Sequence, residues 1–217
     1  MLKNNTSAKI ANYLLQCKAV KLNVDEPFTW TSGLRSPIYC DNRVTLSYPE
    51  IRKYITQELV SAIKNYYPTV EAIAGVATAG IAQGALIADS LELPFAYVRS
   101  EPKKHGLKNS IEGRLEEGAK VVVVEDLIST GKSSLKAVQD LKEFGFEVLG
   151  LVSIFNYGFL ETDVKFKETN CHYHSLSNFN ALAKEAQASQ YITLEQAEKI
   201  VSWNKDAKTW SDSFIGV

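Results

Sequence analysis

The chain has 217 residues, of which 45% are hydrophobic and 23% charged, with a formal net charge of -1. This length and balance describe one globular domain, or one domain with a small appendage, able to bury a full core. A charge so near zero argues against nucleic acid or an anionic membrane as the main partner, so any anion site must be local.

In chain order, residues 6–17 read as a helix, with Ile10, Tyr13, Leu14 and Cys17 on one face and Thr6 or Ser7 available as its cap. The stretch Phe28–Tyr39, with Gly33 and Pro37, looks like a hairpin with polar turn chemistry. It precedes the α/β alternation, so residues 1–45 are expected to form a cap or hood, ending in Asp41 and Arg43. Pro49 stands where a helix tolerates it best, and Ile51, Ile55, Leu59 and Ile63 repeat every fourth residue behind it. A strand is expected over 70–76, then the turn Ala77-Thr78-Ala79-Gly80, a small-faced helix over 81–90, and a short strand over 94–99. Residues 100–118 are polar, Gly-bearing and longer than usual connections, the mark of a functional or disordered loop rather than a core element. Basic groups cluster there at Arg99, Lys103, Lys104, His105 and Lys108.

After the next strand and helix come a strand over about 147–155 and a short one over 171–176. The tail reads as helical: Asn178 can cap one helix, and Thr193-x-x-Gln196 forms a capping box before another. Strand–helix alternation with right-handed crossovers predicts an α/β fold with a mostly parallel sheet flanked by helices. The expected division is a hood over 1–45, an α/β core over 46–176, and a helical tail over 177–217 packed on the core or the hood. Without an 18-residue apolar run or an apolar N-terminal signal segment, no membrane association is expected. Cys17, Cys40 and Cys171 are an odd set without C-x-x-C spacing, which suits free thiols in a reducing cytoplasm. His172 and His174 would share a strand face beside Cys171, but no fourth ligand is evident, so packing is the expected role.

The chemistry concentrates in Val121–Ser134, V-V-V-V-E-D-L-I-S-T-G-K-S-S. A continuous β-branched run reads as a strand buried on both faces, and ligands of open α/β sheets sit beyond the carboxyl ends of such strands. A helix opening at about Gly131 would present unpaired N–H groups and a partial positive charge to a phosphate. Gly131-Lys132-Ser133 resembles the end of a nucleotide phosphate loop, but that pattern needs glycine where Asp126 stands. Two acids followed by a phosphate turn suit a ribose 5-phosphate instead, the acids meeting sugar hydroxyls or a sugar–metal unit.

This stretch resembles the phosphoribosyl diphosphate (PRPP) motif of the type I phosphoribosyltransferases, a hydrophobic strand followed by acid–acid–x–x–[ST]–x–Gly–x–[ST]. Arg99-Ser100-Glu101-Pro102-Lys103-Lys104-His105-Gly106 is similar to the catalytic loop of the orotate phosphoribosyltransferases, and Ser32-Gly33-x-x-Ser36-Pro37-x-Tyr39 to their hood. Gly75–Gly80 stands where that family has its diphosphate loop. The chain departs from one version of the family at Thr31, Ala79, Ser100 and Asn156, where lysines and an arginine would stand, leaving Arg35 and Arg43 as partners for the orotate carboxylate.

The resemblance implies transfer of phosphoribose from PRPP to orotate in pyrimidine biosynthesis, with Mg²⁺ held mainly through PRPP and water. It implies Lys103 and His105 as catalytic groups, with Arg99 beside them on the diphosphate. Glu125 and Asp126 would hold the ribose, Ser129, Thr130, Gly131, Lys132 and Ser133 the 5'-phosphate, Leu127 and Ile128 would be further substrate-binding positions, and Ser129 would also contact orotate. It further implies a homodimer whose loop reaches the neighbouring subunit's site. The alternatives are a purine-base phosphoribosyltransferase, expected to lack the hood motif and the K-x-H-G loop, and a non-catalytic regulator on the same fold.

Overall fold

The computed structural model of the chain describes residues 4–30, 33–100 and 110–214. Helix α1 (Asn4–Gln16) leads into short strands β1 (Val20–Leu22), β2 (Phe28–Thr29), β3 (Arg35–Ser36) and β4 (Ile38–Cys40), and a 3₁₀ turn over Asn42–Ser47. The core follows as α2 (Pro49–Tyr66), β5 (Ala72–Val76), α3 (Ala79–Leu91), β6 (Phe95–Val98), β7 (Ile111–Glu112), β8 (Lys120–Ile128), α4 (Lys132–Glu143), β9 (Glu147–Asn156), α5 (Leu160–Glu168) and β10 (Tyr173–Asn178). Helices α6 (Phe179–Ala188), α7 (Leu194–Lys205) and α8 (Ala207–Asp212) complete the described chain.

The main sheet has six strands in the order β10-β9-β8-β5-β6-β7, all parallel except the β6–β7 pair. The chain runs outward from β5 to β6 on one side and from β8 to β9 and β10 on the other. The switch point therefore lies between β5 and β8, where open parallel sheets place ligands. The four valines face two cores in alternation. Val122 and Val124 join Ile10, Ile55, Ile87 and Phe179 on one face, while Val121 and Val123 join Val138, Leu141 and Phe166 on the other. Side-chain period two along a strand covered on both sides accounts for the unbroken apolar run.

The hood is two small antiparallel pairs, β1 with β4 and β2 with β3, the second being the expected hairpin. The C-terminal helices brace it. Trp203, fully buried on α7, meets the ring of Trp30 edge-on at 5.7 Å and also packs on Tyr157, Phe159 and Phe179. Ser211 on α8 accepts the Arg35 backbone N–H at 2.9 Å, and Asn204 donates to the Tyr157 carbonyl at 2.8 Å.

Several boundaries differ from the sequence expectations. Helix α1 begins before Thr6, whose hydroxyl donates to Glu58 on α2 (3.2 Å) instead of capping. Strand β8 continues through both acids to Ile128 because its ladder with β9 extends that far. The polar stretch after Arg99 contains β7, which pairs with β6 and buries Ile111. Helix α5 was not expected, although Glu161 and Asp163 in its first turn and Lys165 and Lys167 in its last complement the helix dipole. Helix α8 was likewise unexpected. Asn178 does cap α6, and the Thr193–Gln196 capping box is complete. His174 stacks on Tyr66 at 3.6 Å, and among the described residues no cluster suited to a metal is found.

Replacing Trp203 with Ala should lower the free energy of unfolding by about 3–5 kcal/mol, the usual range for removing a buried aromatic side chain, as measured by denaturant titration.

Candidate active site

The end of β8 and the turns around it form the site. Strand β5 pairs with β8 only as far as Gly75–Val124, while β9 stays paired to Ile128–Asn156. Beyond Val124 the two neighbours diverge and a cleft opens. The turn after β5 folds back against β8 so closely that a methyl group at Gly80 would lie 2.4 Å from the Val124 carbonyl oxygen. A glycine is required there because nothing larger fits against the main chain. The Ala77–Thr78 peptide in this turn is cis.

Opposite lies the turn Ser129–Gly131. Gly131 has φ +74° and caps α4 without a side-chain hydrogen bond. The first N–H groups of α4 are thus not taken up by a capping side chain and face the cleft, an arrangement suited to a phosphate. Helix α5 supports the turn from behind. Thr162 Oγ1 donates to the Ser129 carbonyl at 2.7 Å, and a Cβ at Gly131 would come 2.8 Å from the Phe166 ring. A cavity of about 410 Å³ is lined by Val76 and Ala77, Val98 to Ser100, and Ser129 to Ser133. A second cleft of about 850 Å³ lies on the hood side of Ser129 and Thr130, between Trp30, Phe159 and Asn204.

The two acids meet different surroundings, although their carboxyls stay close enough to share a hydrogen bond. Glu125 points toward α4 and is 4% exposed. Its Oε2 accepts the hydroxyls of Ser134 (3.1 Å) and Ser133 (3.3 Å). Asp126 points toward the hood, where Arg43 holds some positive charge near it. Burial, with the charge of Asp126 next to it, raises the Glu125 carboxyl well above the usual glutamate range; burial also raises Asp126. Two adjacent carboxyls drawn out of water do not readily both ionise, so the pair favours holding a proton.

The other candidates divide by position. Arg99 directly follows β6 and pairs with Glu112 of β7 at 3.3 Å. Lys103 and His105 lie outside the described residues. Leu127 lines the cavity, whereas Ile128 buries its side chain in the core and can offer only main chain. Lys132 and Ser133 open α4. Arg43 is held in a bidentate pair by Asp41, at 2.7 and 2.9 Å, and Arg35 stands exposed on β3. Sequence reading passed over Thr162, whose i,i+4 spacing with Phe166 was a usable sign, and Asn42, whose side chain donates to the Asp126 carbonyl at 2.8 Å. Nothing local to Asn42 announces a partner 84 residues away.

The family model for the phosphoribosyl transferase domain matches residues 46–185. An orotate phosphoribosyltransferase of Cytophaga hutchinsonii is 53% identical over 206 residues, 95% of this chain and 99% of that protein. The chain belongs to the orotate phosphoribosyltransferase family. An orotate phosphoribosyltransferase from Aeropyrum pernix superposes with a TM-score of 0.73 at 26% identity, covering 85% of this chain and 99% of the other. The UMP synthase of Leishmania donovani superposes with a TM-score of 0.77 at 25% identity, covering 91% of this chain and 42% of that longer one.

The raised Glu125 carboxyl fixes the sign of a pH effect. A carboxyl whose folded value lies above its unfolded one contributes stability at low pH that is lost as pH rises through the folded value. Glu125→Gln should therefore gain thermal stability relative to the parent at neutral pH. The difference should shrink as pH falls to the usual glutamate range, as followed by melting curves across pH.

Proposed function

We propose that this chain transfers the 5-phosphoribosyl group from PRPP to orotate, giving orotidine 5'-monophosphate and diphosphate. The observation that carries this reading is the pairing of two acids with an N–H-lined turn at the switch point, in a chain 53% identical to an orotate phosphoribosyltransferase over 95% of its length. In this reading residues 1–45 are the hood, 46–176 the PRPP-binding core, and 177–217 a tail that braces the hood. Asp126 and Glu125 hold the ribose hydroxyls. Residues 129–133 hold the 5'-phosphate through main-chain N–H groups and the hydroxyls of Ser129, Thr130 and Ser133, with Leu127 and Ile128 as further substrate-binding positions. The base lies on the hood side, with Ser129 in reach of both ends of the reaction. Trp30, held by its Nε1–H donating to the Ile38 carbonyl at 3.1 Å, forms a wall there.

Departure of diphosphate leaves positive charge on the ribose ring and puts several negative charges on the leaving group. Arg99, Lys103 and His105 are proposed to meet that charge, with His105 able to give a proton near neutral pH. Closure of this basic segment would exclude water from the breaking bond. Mg²⁺ fits as an ion carried by PRPP. Mg²⁺ commonly keeps its waters and binds through substrate phosphates. When bound, it would neutralise part of the diphosphate charge. The family resemblance supports a homodimer whose Arg99–Gly106 loop serves the neighbouring subunit, working in the cytoplasm. No helix among the described residues is long and apolar enough to cross a membrane.

Loss of orotate absorbance with PRPP and Mg²⁺, run beside adenine, hypoxanthine and uracil, tests the assignment. Consumption of orotate alone is expected. Consumption of a purine would favour the purine-base reading, and no consumption the regulator. Lys103→Ala should lower turnover by about 100-fold, the scale of losing a charge-stabilising donor, with much less change in the KM for orotate. Unchanged turnover would remove the loop from the mechanism.

A further inference from the structure

The hood and the ribose cradle are joined by one buried side chain. The Val124 carbonyl points to the β5 edge, since it faces Gly80 there. Two residues on, the Asp126 carbonyl points to the same edge. By then β5 has left the ladder, whose last pair is Gly75–Val124. A buried carbonyl without a ladder partner needs another donor. Asn42 supplies it: its Nδ2 donates to the Asp126 carbonyl at 2.8 Å, and the residue is 1% exposed.

Asn42 is itself tightly set. Its Oδ1 accepts from Cys40 Sγ at 3.3 Å, its carbonyl accepts the Thr45 hydroxyl at 2.6 Å, and the preceding Asp41 N–H donates to the Ala19 carbonyl at 2.8 Å. The next residue, Arg43, is the one whose charge reaches Asp126. The side chain therefore sits where the hood meets the core, with both of its polar ends engaged.

We propose that Asn42 is a positioning residue that replaces the missing ladder partner of Asp126 and thereby sets the aim of its carboxylate toward the ribose hydroxyls of PRPP. This rests on the reading of Asp126 as a ribose-binding acid. The hood is thereby coupled to PRPP binding as well as to the base. The titratable groups around Asp126 are Glu125 on β8, Cys40 and Arg43 from the hood, and Tyr157 after β9.

The test compares Asn42→Ala, Asn42→Asp and Asp126→Asn in steady-state kinetics, with melting curves for each. Asn42→Ala should raise the KM for PRPP about tenfold, with kcat and the KM for orotate changed by less than about twofold, the scale of one hydrogen bond lost at a binding group. Asn42→Asp keeps the size and the acceptor toward Cys40 but loses the donor when ionised. Its defect in PRPP binding relative to the parent should shrink as pH falls and the introduced carboxyl regains a proton to donate. The Asn42→Ala defect should stay constant with pH. A simple loss of packing would not produce that difference. A wild-type KM for PRPP in Asn42→Ala would overturn the proposal, as would equal losses for both substrates that follow a lowered melting temperature. If Asp126→Asn itself leaves PRPP binding unchanged, the reading of Asp126 falls. If it weakens PRPP binding while both Asn42 variants do not, the positioning role alone falls.

Discussion

The organisation of the site depends on two ladders of unequal length. Strand β8 is hydrogen-bonded to β9 through Ile128 but to β5 only through Val124. Where β5 turns away, β8 continues as a rigid ledge with one open edge. The acids lie on this ledge, and the turn that opens α4 begins where it ends. Rigidity comes from β9 and from the two apolar cores, and access comes from the departure of β5. A strand paired equally on both sides would have no room for a ligand, and an unpaired one would not hold two carboxyls in place.

Side-chain alternation on this ledge gives the acids different surroundings. Glu125 turns to α4 and is held by two serine hydroxyls of its first turn; the Asp126 carboxyl lies near Arg43 and Cys40 of the hood. Through Glu125 the strand is tied to the first turn of α4, so the ledge and the turn that opens the helix cannot shift independently. The cost is a buried, electrostatically strained pair of carboxyls. Such strain is typical of a site meant to receive a polar ligand that brings its own hydroxyls or a cation.

Support comes from elements far along the chain. Helix α5 pins the turn Ser129–Gly131 through Thr162 and Phe166, and the Trp203 cluster with Ser211 fixes the hood against the C-terminal helices. The C-terminal helices are thus part of what holds the hood against the core.

Much of this was legible in the residues themselves. Four successive valines can only be satisfied by two buried faces, which requires a central strand in a layered α/β fold. Asp126 in place of glycine separates the turn from a nucleotide loop, and Gly131 marks the start of the helix. These are local facts of side-chain size, branching and charge, and they carried the fold class and the ribose-phosphate reading. What the sequence could not determine was which partner each group meets. The different orientations of Glu125 and Asp126 depend on the strand running through them, and that depends on pairing with β9. The bonds from Asn42 to Asp126, from Thr162 to Ser129 and from Ser211 to Arg35 join residues 84, 33 and 176 positions apart. No local pattern encodes such pairings, because they exist only once the sheet has set the register and the helices have packed on it.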